Sequence, residues 1–252
     1  MRRVVVVIVL LVGLMGCTKS PPPYESKISD APAVEPEAPA SPISAPQASF
    51  VEAFDRPDTT LGLGEGWDMR GKFTGAYPLP PAVDGFIKDG RFTYAGNDVV
   101  YAVRQFRGPV QALGATGRWR RINDGDVETT MTMAITPNDN IISDMIHFSV
   151  NRSTWKLTTR RESGNFDPIA AGQFSPVLAL DRDYEFELHI GNGEVTVALP
   201  DGQVVTRKAD VTGLVGDRAF WEQYPTTIPP DVVFDYDKVW AAENGQPLQP
   251  VG

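Results

Sequence analysis

Apolar and polar residues alternate along most of the chain beyond Phe50, in short runs closed by Gly, Asn, Asp or Pro. In 127–135, Val127, Met131, Met133 and Ile135 share one face, while Glu128, Thr130 and Thr132 share the other. In 142–150, Ile142, Ile146, Phe148 and Val150 oppose Met145, His147 and Ser149. In 184–190, Tyr184, Phe186, Leu188 and Ile190 alternate with Glu185, Glu187 and His189. A period of two marks a strand with one buried face. Further strands are expected at 92–95, 99–106, 115–122, 155–161, 194–199, 203–208 and 232–241. Gly191-Asn192-Gly193 and Pro200-Asp201-Gly202 suit positive backbone φ, so 184–208 reads as a three-stranded meander. Long capped helical patterns are absent, and only short helical turns are expected near 61–65 or 210–214. Many one-faced strands need a second sheet to bury against, which predicts an all-β, antiparallel two-sheet β-sandwich of about a dozen strands.

The first residues follow a different pattern. Arg2-Arg3 precedes an apolar run of 12 residues, 4–15, broken only by Gly13. A spanning helix needs roughly 20 apolar residues, so the run reads as the core of an export signal. It ends in Leu14-Met15-Gly16-Cys17, which resembles a bacterial lipobox. That resemblance implies removal of residues 1–16 and a thioether-linked diacylglycerol on Cys17, the only cysteine of the chain. Residues 17–49 then form anchor and tether: eight prolines fall within 18–49 among Ala, Ser and Glu. Such a segment buries too little area to fold and is expected to be an extended, disordered spacer. The sandwich domain is expected over 50–243, followed by a tail, 244–252.

Composition narrows the partners. The 252-residue chain carries 23 basic and 32 acidic residues, a net charge of −9. Loss of Arg2 and Arg3 makes it more acidic still. This argues against nucleic acid and against electrostatic binding to anionic lipid. The expected address is the extracytoplasmic side of a cell membrane, held by the lipid on Cys17.

Phe54-Asp55-Arg56-Pro57-Asp58-Thr59-Thr60-Leu61-Gly62 with Gly66-Trp67, and Phe86-Ile87-Lys88-Asp89-Gly90-Arg91 downstream, resemble the opening of bacterial laminin-G-like domains. The meander 180–202 and the closing run 232–239 are similar to later strands of that group, the concanavalin A-like lectin/glucanase superfamily. The resemblance implies a jelly roll of two curved sheets with a concave face. It also sets a test for catalysis. The glucanase branch places Glu-x-Asp-x-(x)-Glu on one strand, because two carboxylates about 5 Å apart are needed for retaining hydrolysis. No Glu-x-Asp occurs in this chain.

Sugar binding instead needs aromatic faces beside planar polar groups. The candidates are Trp119 with Arg118, Arg120 and Arg121; Glu128, His147, Asn151 and Trp155; and Trp221-Glu222-Gln223-Tyr224. The arginines suit an acidic glycan through bidentate pairs. A buried role competes at each tryptophan, with Trp67, Trp155 and Trp240 expected at or near the core. His189 reads as plain surface. With two histidines and one cysteine, zinc sites of three histidines or several cysteines are excluded. No cofactor is expected; the alternative is calcium, for which Asp124/Asp126, Asn138/Asp139/Asn140 and Asp181/Asp183 offer hard oxygens.

The leading expectation is a non-catalytic module that binds a cell-wall or surface polysaccharide, or another envelope component. One alternative is a glycoside hydrolase using Glu128 with Asp126 or another carboxylate. Another is a structural lipoprotein that binds an envelope protein through an exposed apolar patch. The anchor is directly testable. Cys17→Ala in the expressing bacterium should abolish acyl labelling and move the protein from the membrane to the soluble extracytoplasmic fraction, whereas unchanged membrane retention would exclude the lipid as anchor.

Overall fold

The structure is a computed structural model and describes residues 48–71, 79–82, 84–96, 98–162 and 164–243. Cys17, the leader, the tether up to residue 47 and the tail from 244 lie outside the described residues. In chain order the strands are β1 (Phe50–Glu52), β2 (Asp68–Gly71), β3 (Phe86–Lys88), β4 (Arg91–Thr93), β5 (Val100–Gln105), β6 (Val110–Arg121), β7 (Thr129–Thr136), β8 (Met145–Val150), β9 (Thr154–Arg160), β10 (Phe166–Gln173), β11 (Tyr184–Gly191), β12 (Glu194–Ala198), β13 (Val204–Lys208), β14 (Arg218–Pro225) and β15 (Val232–Glu243). They form two sheets, and no helix occurs among the described residues. One sheet has eight strands in the order β13-β12-β11-β6-β15-β4-β3, with β1 also pairing β15. The other has seven, in the order β10-β9-β8-β7-β14-β5-β2. The named strands pair antiparallel throughout.

Alternation explains the layering. Met131, Met133 and Ile135 of β7, with Ile146, Phe148 and Val150 of β8, are fully buried between the sheets. They meet Phe186 and Leu188 of β11 and Phe234 and Tyr236 of β15 in one core cluster. The meander over β11–β13 is formed as expected. Two expectations change. Ile142 precedes β8 and packs on the opposite side of the sheet from Ile146, in a second apolar cluster. The segments 61–65 and 210–214 are turns and bends, because Gly62, Gly64 and Gly213 adopt positive φ, incompatible with a helical turn.

Polar groups also join the sheets through the core. The Trp221 indole donates to the Gly114 carbonyl at 3.1 Å, and the Trp119 indole to the Thr129 carbonyl at 3.3 Å. The Tyr236 hydroxyl donates to the Glu222 carbonyl at 2.8 Å. The buried Gln223 carboxamide donates to the Phe234 carbonyl and accepts from the Phe234 N–H at 3.1 Å. Each such bond contributes about 1 kcal/mol net, but an orphaned buried partner costs roughly 1–3 kcal/mol.

Close strand approach at β6 requires missing side chains. A Cβ at Gly117 would collide with the Asp235 carbonyl and lie 2.7 Å from the Phe234 ring. At Gly191 nothing lies within 4 Å. Gly117→Ala should therefore lower unfolding stability by about 1–3 kcal/mol, while Gly191→Ala leaves it within roughly 0.5 kcal/mol. Denaturant titration of the two variants checks this.

Candidate functional site

The outer face of the seven-stranded sheet gathers the polar groups that the core excludes. Register defines two neighbouring cross-strand rows. The first runs Arg70, Tyr101, Glu222, Thr132, Ser149 and Lys156 across β2, β5, β14, β7, β8 and β9. The second runs Asp68, Val103, Phe220, Ala134, His147 and Thr158 over the same strands. Side chains opposite one another in a row lie about 5 Å apart, so Glu222 sits beside both Tyr101 and Thr132.

Glu222 is the hub. Its side chain is 7 % exposed, and its carboxylate lies 3.8 Å from Nε2 of His147. Tyr101, itself 5 % exposed, shares a hydrogen bond with Glu222, the phenol donating. Burial first, and the Glu222 charge second, push the Tyr101 phenol far above its ordinary range. His147 packs against Phe166 at 4.9 Å between ring centres, and the Arg160 guanidinium covers the same phenyl ring at 5.1 Å. Tyr224 continues β14 on this face and is 42 % exposed. Tyr101 and Phe220 meet edge to face at 5.6 Å within an apolar cluster that includes Val103, Ala134 and Met145. Planar polar groups and hydroxyls thus lie over a buried apolar base, and Tyr224 adds an exposed ring, a combination that suits sugar hydroxyls and a pyranose C–H face.

The expected site residues do not all meet here. Of the first-choice set, His147 lies on this face. Trp119 and Trp155 are buried in the core, at 0 % and 2 % exposed, so neither offers a ring face to a ligand. Their indoles are large apolar bodies, and the sandwich interior claims them. Arg118 and Arg120 project from β6 on the outer face of the other sheet, following the alternation that turns Trp119 inward. Arg120 is bound by Asp235 at 2.5 and 3.1 Å, and Arg121 is paired with Asp126. Chain carboxylates therefore engage two of the three arginines expected to read an acidic glycan. Asn151 spends its side-chain oxygen on the turn before β9, accepting from the N–H and hydroxyl groups of Ser153 and Thr154. Glu128 lies half-buried just before β7; burial pushes its carboxyl up, while Arg152 pulls it back. Its expected partner Asp126 is 95 % exposed.

Other expectations shift as well. Trp240 lies on the outer face of the eight-stranded sheet, over Gly114 and near His189, rather than between the sheets. His189 is mostly covered and bonds Glu187 at 2.7 Å. Among the described residues no three His, Cys, Asp or Glu side chains converge as a metal site. Arginine takes two of the carboxylates considered for calcium: Asp139 pairs with Arg218 and Asp183 with Arg91.

The cluster Trp221-Glu222-Gln223-Tyr224 is visible in the sequence, whereas Tyr101 and the strand that orders the cluster are not. The signal was present in 218–224. Ala219, Trp221 and Gln223 point inward while Arg218, Phe220, Glu222 and Tyr224 point outward, but polar residues on both faces obscure the period of two.

No family model matches the chain, and no curated protein matches it. Solved structures do. The carbohydrate recognition domain of Emp47p aligns with a TM-score of 0.57 at 9 % identity, over 81 % of this chain and 99 % of that one. An endo-1,3-β-glucanase catalytic domain from Thermotoga petrophila aligns at 0.53 and 12 % identity, over 80 % and 99 %. The Bacillus licheniformis β-glucanase aligns at 0.53 and 9 % identity, over 79 % and 99 %.

Burial holds the Tyr101, Tyr94 and Tyr236 phenols protonated well beyond their ordinary value. The unfolded chain ionises them near pH 10, so above that pH it binds fewer protons than the native state. Their contribution to stability is complete below about pH 10 and declines as pH rises beyond it. Denaturant midpoints should fall steeply above that pH, and Tyr101→Phe should make the fall shallower.

Proposed function

We propose that this chain, a concanavalin A-like lectin/glucanase jelly roll, is a non-catalytic glycan-binding module displayed outside the cytoplasm on a lipid anchor at Cys17. The observation that carries the reading is the Glu222 carboxylate, set between Tyr101 and His147 near the centre of a polar sheet face, with no acid at the positions that flank it on β5 and β7. Glycosidases need a second carboxyl about 5–9 Å away. The flanking outward positions are instead Tyr101 and Val103 on β5 and Thr132 and Ala134 on β7. Glu222 then acts as a positioning residue, orienting the His147 imidazole and the Tyr101 phenol. Contact with sugar falls to His147, Ser149, Lys156, Arg160 and the exposed Tyr224 ring.

The structural neighbours support a saccharide as ligand, since they include a carbohydrate recognition domain and glucanases. The acidic surface and the proline-rich tether suit a domain held off the membrane and reaching for polymer. Affinity electrophoresis of the full chain in gels containing neutral and acidic cell-wall or capsular polysaccharides tests the reading. Retardation is expected in at least one polymer, with no fall in its mass. His147→Ala and Tyr224→Ala should each weaken it about tenfold, roughly 1.4 kcal/mol. A falling polymer mass would establish hydrolysis, and migration unaffected by every polymer would exclude glycan binding.

A further inference from the structure

His147 stands at a boundary of charge on the outer face of the seven-stranded sheet. On one side lies Glu222 of β14, its carboxylate 3.8 Å from Nε2 of the ring. On the other side lies β9, whose Thr158 is directly opposite His147. Lys156 and Arg160 lie opposite Ser149 and Met145, the next outward positions of β8. They therefore flank His147 on its two diagonals, about 7–8 Å away. Arg160 also shares the Phe166 ring of β10 with the imidazole. Strand β7 presents Thr132 and Ala134 and adds no charge. Tyr101 of β5 is held to Glu222. The charged groups that face His147 from these strands are thus one carboxylate and two cations.

The two ring nitrogens differ in surroundings. The Glu222 charge favours the N–H on Nε2. Nδ1 has no hydrogen-bond partner among the described residues. In a neutral ring it then carries only a lone pair, which repels a carboxylate or sulfate oxygen. Proton uptake from solvent turns Nδ1 into a charged donor. Histidine is the side chain whose charge ordinarily changes between pH 5 and 8, whereas uronate and sulfate groups stay ionised across that range. In acid, His147, Lys156 and Arg160 all carry positive charge. The chain as a whole is acidic, at −9, and repels an anionic polymer. One added charge at the point of contact therefore counts.

We propose that His147 is an acid-sensing switch: its imidazolium completes, with Lys156 and Arg160, a cationic row that holds an anionic polysaccharide in mildly acidic medium and releases it near neutrality. This rests on the reading of the face as glycan-binding and adds the class of ligand and its regulation.

Affinity electrophoresis of the full chain in polygalacturonate, dextran sulfate or a neutral glucan, at about pH 5.5 and about pH 7.5 and equal ionic strength, tests this. At least one anionic polymer should hold the chain about fivefold or more tighter at the lower pH, since a charge-assisted hydrogen bond replaces a repulsion. The neutral glucan should respond less than about twofold. His147→Gln keeps a polar side chain that does not titrate and should abolish the difference; thermal melting verifies that it folds. Without any polymer, nitrogen-15 NMR should show Nδ1 of His147 taking up a proton as the pH falls from 8 to 5. An Nδ1 that stays unprotonated, or a pH dependence that survives in His147→Gln, would overturn the switch. Equal binding of an anionic polymer at both pH values would overturn the switch and leave the face reading intact. Binding of the neutral glucan alone would overturn the anionic preference. Binding of no polymer at either pH would overturn the face reading and the switch together.

Discussion

Three consecutive residues of β14 are bonded across the sandwich, and the remaining geometry hangs on them. Trp221 reaches β6 through its indole, the Glu222 carbonyl receives the Tyr236 hydroxyl, and the Gln223 carboxamide engages both backbone groups of Phe234. Hydrophobic burial is non-directional and would let one sheet slide on the other. Buried polar bonds have fixed partners, and breaking one leaves a desolvated group unpaired. They therefore set how the two sheets align. They also pin the backbone of Glu222 from beneath, so the carboxylate on the opposite side is held in place by the core.

The two outer faces meet different fates. On the eight-stranded sheet, Arg120 with Asp235 and Arg91 with Asp183 and Asp237 close upon themselves, and Trp240 lies flat over Gly114. Those arginines on that face are already paired with carboxylates of the chain. On the seven-stranded sheet, an apolar cluster around Tyr101 and Phe220 supports a row of hydroxyl, imidazole, ammonium and guanidinium groups. A surface that is polar above and apolar beneath is suited to a ligand with the same mixture, and saccharides have it. One carboxylate at the centre of the face agrees with the proposed recognition role, whereas glycosidic cleavage uses two.

Much of the fold was legible because strands with one apolar face announce themselves. Met131, Met133 and Ile135, or Phe186, Leu188 and Ile190, leave little choice of structure. Strand β10 escaped because Pro168 and Gly172 interrupt its pattern, and a bulge lies between Pro168 and Ala170. The first half of β6 escaped because Ala112 and Gly114 are small where Trp240 needs room. The site was less legible for a related reason. Trp119 and Trp155 carry the residue type that sugar platforms use, yet the core competes for the same rings and wins. Tyr101 sits in a run of apolar residues and reveals its polar role only when β14 is laid beside β5. The charges around Trp119 are obvious in sequence, but Asp235, which neutralises Arg120, is 115 residues away.

On the proposed reading, ligand meets the outer face of the seven-stranded sheet. Methyl NMR of the full chain, titrated with a polysaccharide that retards it, tests this most directly. Shifts are expected at Val103, Ala134 and Met145, with Ala112 and Ala242 unmoved. Shifts confined to Ala112 and Ala242, on the outer face of the eight-stranded sheet, would contradict it.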